Sequence, residues 1–468
     1  GATGRFVARF AFGGRHRFAG QDAARAVVER DARVGQALVE QIEEKPVREP
    51  PPLLFDLGAL QRTCNRRFGL SAQQTLAVAQ SLYEKHKLIT YPRTDSRYLS
   101  SDLVGQLPRL FAALSSSSTY APFCGPLRAG TGAPRRVFAD GKVRDHHAII
   151  PTALDLTDDR LARLSGDEAR VLDLIARRFI GAFYPDAEFR DTRVVLRVDA
   201  AGDGQAPPVR QEGGPDEYLS GAPPPPDRYH ARGRVRLRAG WQDVAGFGEG
   251  AGDARGDGGE AAADGEPGSR RGRGKKSVAK SADRDATGGD AAGDVEDDGP
   301  PSQALPALTL GMRLAAQFDV VAKQTRPPPR YNEATLLSAM EGAGKQLSDD
   351  ALREAMRDHG LGTPATRASI IETLLDRGYL QRRGKQLVPT ALGRDLIASL
   401  PVPELASAEL TGRWEARLAR LARGEEASTQ FMVDITAFVA DLVGRIQHAD
   451  PPSTPLPIAA APEDGAAE

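Results

Sequence analysis

Cysteine is nearly absent from the 468 residues, only Cys64 and Cys124 occurring. Two thiols cannot build a disulfide framework or a four-cysteine zinc site, so a reducing cytoplasm is the expected compartment. No run of about eighteen apolar residues and no signal-peptide pattern is present, which leaves no predicted membrane partner. There is no GxxxxGK[ST] loop, so nothing predicts a cradle for nucleotide phosphates. Neither sign of charge is in excess: Lys plus Arg number 62 against 63 for Asp plus Glu, a net charge of -1. That balance argues only weakly against a polyanionic partner, because many of the acids pool in low-complexity stretches. The chain opens GATGRF without Met, already inside a strand-like pattern, and the expectation is a fragment whose upstream portion is missing.

What is present has room for two to four domains with real apolar cores. Arg5–Phe10 mixes basic and apolar residues as a half-buried strand does, and Phe12–Phe18 continues past a Gly-Gly turn. Asp22–Val39 reads as helix and Glu43–Pro52 as a charged, Pro-bearing connector. Leu57 and Leu60 mark a short helix; Ser71 followed by Gln74 makes a capping-box start for the helix Ala72–His86. Asp167–Phe183 is a further helix and Phe189–Val198 alternates as a strand. Two stretches, near 203–226 and 248–301, are rich in Gly, Pro, Ala and Asp and too poor in large apolar residues for a core, so both read as disordered insertions. The basic block Arg270–Lys280 within the second could touch nucleic acid, but reads more simply as a solvated linker charge run. Between them, HARGRVRLRAGW alternates as a strand, and Leu305–Lys323 resumes the pattern, as in a decorated hairpin or loop of an antiparallel β domain.

The stretch Leu88–Leu99, LITYPRTDSRYL, puts a phenol beside two guanidinium groups. It follows the capped helix directly, so its residues are well anchored. Pro92 disfavours helix at Tyr91 and keeps that residue extended or turning. A free phenol has a pKa near 10 and becomes a nucleophile only where cations stabilise the phenolate or a base takes the proton. Arg93 could do the first and then neutralise a five-coordinate phosphorus. The plainer alternative is a structural Tyr packed at a turn, its hydroxyl bonded to Asp95.

Further on, Asp145–Thr152 reads DHHAIIPT. Its adjacent His residues could be a satisfied core at the start of a strand, or metal ligands, although no Cys or acidic cluster of metal-ligand spacing accompanies them. In RPPPRYNEATLLSAME, Asn332 or Glu333 opens a helix with Leu336, Leu337 and Met340 on its buried side. In GLGTPATRASIIETLLDRGYL, Thr363 is the N-cap, Pro364 the first helical residue, and Ile370, Ile371, Leu374 and Leu375 the apolar stripe. Gly378 stops that helix, Tyr379–Thr390 reads as a β-hairpin turning at Arg383–Lys385, and Thr390 opens another helix. Helices with a basic hairpin suggest a winged-helix unit, a nucleic-acid reader or a protein-docking module.

Taken together, the Tyr segment, the His motif and the winged-helix segment resemble, in order, the motifs of type IA DNA topoisomerases, with the topoisomerase III branch matching best. The resemblance implies a multidomain α+β protein of toroidal architecture, with an antiparallel β arch, a mostly helical Tyr domain and a winged-helix-like C-terminal domain. On this chain the arch is split over 1–54 and 190–325, the Tyr domain is 55–189, the winged-helix-like domain 326–450, and 451–468 a disordered tail. The implied activity is that of an isomerase. Tyr91 attacks single-stranded DNA, forms a 5′-phosphotyrosine, and is displaced when the freed 3′-hydroxyl returns, giving relaxation or decatenation without ATP. Arg93 is then the phosphate-stabilising cation and His146 the family's functional His, while Arg330, Thr366 and Arg377 hold DNA. Each of the last three has a blander reading: Arg330 as a solvated loop charge, Thr366 as a first-turn helix residue, Arg377 as a cation at a helix end. Other replication or recombination proteins are implied partners, near the nucleoid.

The departures from the pattern also matter. The family binds Mg²⁺ in an acidic DxDxE lobe ahead of the arch, and no DxDxE occurs here, so Mg²⁺ chemistry is not completed by this sequence alone. Neither zinc nor ATP is expected. A tyrosine recombinase needs a His-x-x-Arg pair ahead of a C-terminal Tyr, whereas here the Tyr comes first. A non-enzymatic winged-helix protein that binds single-stranded DNA would leave the Tyr segment unexplained.

Overall fold

The computed structural model describes residues 4–127, 134–143, 145–199, 218–246, 302–325, 327–347, 349–356 and 360–449. These divide into two compact units. The first takes the described parts of Gly1–Pro51, Tyr184–Ala286 and Asp294–Pro327; the second takes those of Pro52–Phe183 and Pro328–Glu468.

In the first unit, strand β1 (Arg9–Phe10) precedes helix α1 (Gln21–Val34), followed by β2 (Gln36–Glu49), β3 (Ala187–Val198), β4 (Asp227–Arg238), β5 (Ser302–Gln303) and β6 (Arg313–Ala315). The sheet order is β1-β4-β3-β2-β6, with β5 alongside β4. Every pairing is antiparallel except β4 with β5. Val39, Val194, Leu196, Val198 and Ala231 form the buried face, and Phe6, Leu305 and Phe318 pack on it.

Two expectations fail here, each for its own physical reason. The helix expected over Asp22–Val39 stops at Val34, because Gly35 takes the left-handed conformation (φ 62°) and donates its N–H to Asp31 O. The connector expected over Glu43–Pro52 is instead largely the second half of β2. Its charges face opposite charges on β3, Glu43 against Arg193 and Lys45 against Asp191, so they stabilise a ladder rather than solvate a loop. Pro46 is tolerated because β6 reaches only Gln36–Leu38, and among the described residues no other strand pairs with that edge of β2 at Pro46. Leu305–Lys323 supplies only the short β6, on the far side of β2 from β4.

The expected insertion near 203–226 is described only from Tyr218 on, where Leu219 is buried and bridges Phe18. The remainder of it, the stretch 248–301 with Arg270–Lys280, and the tail 451–468 lie outside the described residues.

In the second unit, helix α2 (Leu57–Phe68) is N-capped by Asp56, whose side chain accepts from Ala59 N at 2.6 Å. Helix α3 (Ala72–Glu84) begins with the capping box of Ser71 and Gln74, and a second box of Ser165 and Glu168 opens the helix Gly166–Gly181. Such caps contribute about 1 kcal/mol each. Phe55, Leu60, Leu82, Leu88, Phe111 and Phe179 are among the side chains buried between these elements.

The C-terminal part packs onto the same body. Ala72, Leu337, Met340, Ala368, Ile371 and Leu387 share one apolar cluster. Asn332 caps the helix Glu333–Glu341, and the helix Pro364–Asp376 follows Thr363. The hairpin of β7 (Leu380–Arg383) and β8 (Gln386–Pro389) turns through Gly384 at φ 59°. Thr390 then caps the helix Ala391–Ala398. Of the expected apolar stripe Ile371 is buried, whereas Ile370 is exposed and Arg367 and Ala368 take part in the buried face.

The first unit holds a buried acid at its helix–sheet seam. Tyr229 donates its hydroxyl to Asp31 Oδ2 at 2.5 Å, while Arg30 clasps Asp227 through Nε at 2.6 Å and Nη2 at 2.5 Å. Burial, followed by the neighbouring Asp227 carboxyl, pushes the Asp31 carboxyl well above the usual carboxylate range. The folded state therefore retains a proton that the unfolded chain releases. The contribution of Asp31 to stability should be greatest at low pH and fall as pH rises above the ordinary carboxylate pKa, until Asp31 ionises in the fold. Asp31→Asn, which can still accept from Tyr229, should flatten that fall. Urea midpoints measured from about pH 4 to about pH 9 for both proteins check this.

Candidate active site

Residues 91–96 alternate between exposed and buried: Tyr91, Arg93 and Asp95 face solvent, while Pro92, Thr94 and Ser96 face the interior. This is the period-2 pattern of an extended chain. Its partner is the segment 148–152. Thr90 N donates to Ile150 O at 2.9 Å, and Thr152 N to Leu88 O at 3.0 Å. Side chains reinforce the pairing on both flanks of Tyr91. Thr90 Oγ1 accepts from Ile150 N at 3.0 Å and donates to Ala148 O at 3.2 Å. Thr94 Oγ1 donates to His146 O at 3.2 Å and accepts from Ser96 N at 3.0 Å. The Thr94 carbonyl in turn accepts from Leu57 N, at 3.0 Å, in the first turn of α2. The Tyr motif and the His motif, more than fifty residues apart in sequence, are thereby pinned side by side.

The result is a close pair of rings. Tyr91 and His146 lie 4.6 Å apart between centroids, tilted by 47°. Both are exposed, Tyr91 by 37%. The hydroxyl of Tyr91 makes no hydrogen bond among the described residues, so the bond to Asp95 weighed as an alternative is not formed. Arg93 projects from the same exposed side and has no hydrogen bond or ion pair among the described residues. An exposed phenol and imidazole in ring contact, with a guanidinium two residues away on an alternating chain, can receive a phosphodiester. The second His, His147, instead turns its Nδ1 toward Ala148 O at 2.7 Å.

Two more residues belong to this place: Tyr83, which the sequence does not mark, and Lys87, which the sequence offers only as a cation suited to the C-terminal end of its helix. Tyr83, in the last turn of α3, meets Tyr91 edge to face at 5.5 Å. Lys87 sits with its Nζ 5.5 Å from the centroid of the Tyr83 ring. The small residues at even positions, Thr90 to Ser96, could have revealed the buried side of the extended chain; no sequence signal marks Tyr83.

The remaining candidates lie apart from this group: no described hydrogen bond, ion pair or ring contact joins them to Tyr91, Arg93 or His146. Thr366 uses its hydroxyl to accept from Thr363 N at 2.9 Å, so it caps its own helix, yet it remains exposed. Arg377 is the C-cap residue of that helix; its N–H bonds Thr373 O at 3.0 Å and its side chain is exposed. Eleven residues of helix return close to the same face, so Thr366 and Arg377 mark the two ends of a line about 16 Å long. Arg330 is exposed and, like Arg377, has no side-chain partner among the described residues. Beside this helix a polar cleft of about 740 Å³ runs past Ser71, Ser369, Thr373 and Lys385. Among the described residues, no three His, Cys, Asp or Glu side chains gather in a way that could hold a metal ion. No helix there is long and apolar enough to cross a membrane.

Comparison with known proteins identifies the family. A family model described as DNA topoisomerase matches residues 8–250 and 290–433. DNA topoisomerase 3 of Bacillus cereus is 32% identical over 419 residues, which is 88% of this chain and 48% of that protein. DNA topoisomerase 3 of Bacillus subtilis is 33% identical over the same shares. The chain thus spans about half the length of the curated relatives it matches. A solved structure of full-length topoisomerase I from Thermotoga maritima superposes with a TM-score of 0.59 at 19% identity, over 94% of this chain and 57% of that one, and so shares the fold. On the family match and on the identity to the topoisomerase 3 relatives, this chain belongs to the type IA DNA topoisomerases.

Proposed function

We propose that this chain carries the strand-cleavage centre of a type IA topoisomerase, with Tyr91 as nucleophile, Arg93 as the cation on the attacked phosphate and His146 as its neighbour at that phosphate. The observation that carries this reading is the 4.6 Å approach of the exposed Tyr91 and His146 rings. In the step, the Tyr91 oxygen bonds to a backbone phosphorus of single-stranded DNA as the phosphorus–O3′ bond breaks. The phenol loses its proton and the departing O3′ gains one. One diester replaces another of similar free energy, so the freed 3′-hydroxyl reverses the step and no ATP is consumed. Arg93 contributes paired N–H donors to the charge that builds on phosphorus, and His146 can donate to a phosphate oxygen or move a proton near neutral pH.

The first unit is read as the split β arch. The second is read as the Tyr domain together with a winged-helix-like segment, on which Arg330, Thr366 and Arg377 hold the strand. The family uses Mg²⁺, and the described residues do not fit a metal site. The setting is cytoplasmic, with single-stranded DNA as substrate and relaxation or decatenation as the outcome. The rival reading, a winged-helix protein that only binds single strands, leaves the Tyr91–His146 pair without a task, and covalent trapping separates the two.

Three outcomes are expected in protein supplied with an acidic metal lobe. Tyr91→Phe should bind single-stranded DNA normally and form no covalent adduct; an adduct at the wild-type level in a denaturing gel would sink the assignment. Arg93→Ala should slow adduct formation by roughly a hundredfold while affinity changes far less; equal losses in both would reduce Arg93 to a phosphate anchor. Arg377→Ala should weaken single-strand binding and lower the slope of log affinity against log salt by about one phosphate contact. An unchanged slope would mean that Arg377 serves only its helix end.

A further inference from the structure

We infer that Tyr83, backed by Lys87, is a positioning residue for Tyr91, fixing the nucleophile's ring from a direction that His146 does not cover. This rests on the proposed role of Tyr91.

Because the Tyr91 hydroxyl has no hydrogen bond among the described residues, the direction of its oxygen depends on the pinned backbone and on the rings packed against it. Two rings do this. His146 meets Tyr91 tilted at 4.6 Å, and Tyr83 meets it edge to face at 5.5 Å and 75°. Tyr83 and His146 make no ring contact with each other among the described residues, so they grip Tyr91 from different directions. Edge-to-face contact of this kind is orientation-specific as well as cohesive.

Tyr83 is itself held. It sits half-buried in the last turn of α3, and that helix end is tied to the helix Gly166–Gly181 through Glu168. Glu168 accepts from Ser81 Oγ at 2.6 Å and lies 3.2 Å from His86 Nε2. Lys87 then places its ammonium over the Tyr83 ring at 5.5 Å, a cation–π distance, and has no ion pair among the described residues. To do so it adopts φ 58°, the one described residue other than Gly with positive φ. A non-Gly residue there carries a conformational cost and persists only where its surroundings hold it. Here Thr152 Oγ1 donates to Lys87 O at 2.7 Å, Leu88 N donates to Leu82 O at 2.9 Å, and Thr152 N donates to Leu88 O at 3.0 Å. A turn serving only to end α3 would be less strained with Gly, whereas a Lys in this conformation also places a cation on the ring that abuts the nucleophile.

For in-line attack the phenol oxygen must be placed to within a fraction of an ångström, and misplacement by about 1 Å can cost a hundredfold. The test compares Tyr83→Ala, Tyr83→Phe, Lys87→Ala and Lys87→Arg with Tyr91→Phe, using a single-stranded oligonucleotide and protein supplied with a metal lobe. Tyr83→Ala should slow adduct formation about tenfold or more with single-strand affinity unchanged. Tyr83→Phe, which keeps the ring edge, should react as the wild type does. Lys87→Ala should give a smaller loss that Lys87→Arg restores. As a readout independent of activity, the fluorine signal of a fluorotyrosine placed at position 91 of this chain should change in Tyr83→Ala and stay in Tyr83→Phe. Should Tyr83→Ala not fold, Tyr83→Leu takes its place with the same expectations. Wild-type rates and an unmoved signal in Tyr83→Ala, a Phe variant as slow as the Ala variant, or losses shared equally with affinity would each overturn the inference. An adduct from Tyr91→Phe would instead overturn the assignment of the nucleophile.

Discussion

Everything at the candidate site depends on the hydrogen bonds that pin the extended Tyr segment to the segment 148–152. Thr90 and Thr94 each use one hydroxyl both to donate and to accept, which fixes the chain on either side of Tyr91. Such bonds are individually modest, about 1 kcal/mol net, but a buried donor left without its partner costs more. The two threonines therefore act more as a register pin than as a source of stability. A slip of one residue would turn Tyr91, Arg93 and Asp95 inward and expose Pro92 and Thr94, since side chains alternate along an extended chain.

A second constraint joins this pinned segment to the C-terminal helices of the same unit. Glu333, only 5% exposed, accepts from Ala72 N at 2.7 Å at the start of α3 and from Arg382 Nε of the hairpin at 2.9 Å. Arg62 of α2 pairs with Glu341 at the far end of the helix that Glu333 opens. The helix that leads to Tyr91 and the hairpin beside Thr366 and Arg377 are thus fastened to one carboxylate. In each pair one side chain is buried and its partner is half exposed, so the contact contributes little net stability and its main effect is to fix which elements lie together.

Much of this was legible in the sequence, and the failures share a cause. The capping residues Ser71, Asn332 and Thr390, and the hairpin turn at Arg383–Lys385, were readable because each rests on local backbone chemistry. The pairing of Tyr91 with His146 was carried only by the resemblance, since no periodicity relates positions 91 and 146. The charged half of β2 was misread because Glu43, Glu44 and Lys45 look solvated until their partners on β3 are known. Arg62 and Arg367 were invisible as interior residues for the same reason: burial of a guanidinium is set by the acids and carbonyls that other elements bring to it. Tyr83 was passed over as an ordinary helix residue because its significance lies in a ring contact across a turn.

Charge pairing explains how a chain of net charge -1 can still present a site for a polyanion. Many described arginines are matched within the fold: Arg228 lies 2.7 Å from Glu40, Arg234 2.7 Å from Glu49, and Arg417 2.7 Å from Asp434. A phosphate competing for such a side chain must first displace its acid. For an exposed pair that costs only up to about 1 kcal/mol, so pairing biases where an anion settles and does not forbid it. Arg93, Arg330 and Arg377 start from the opposite condition, being exposed and without an acid among the described residues. Arg67, Lys85, Arg109, Arg163 and Lys385 of the second unit share that condition, so several exposed cations there stand open to an anion. The distribution of acids, more than the number of bases, thus decides which cations stand ready for an anion.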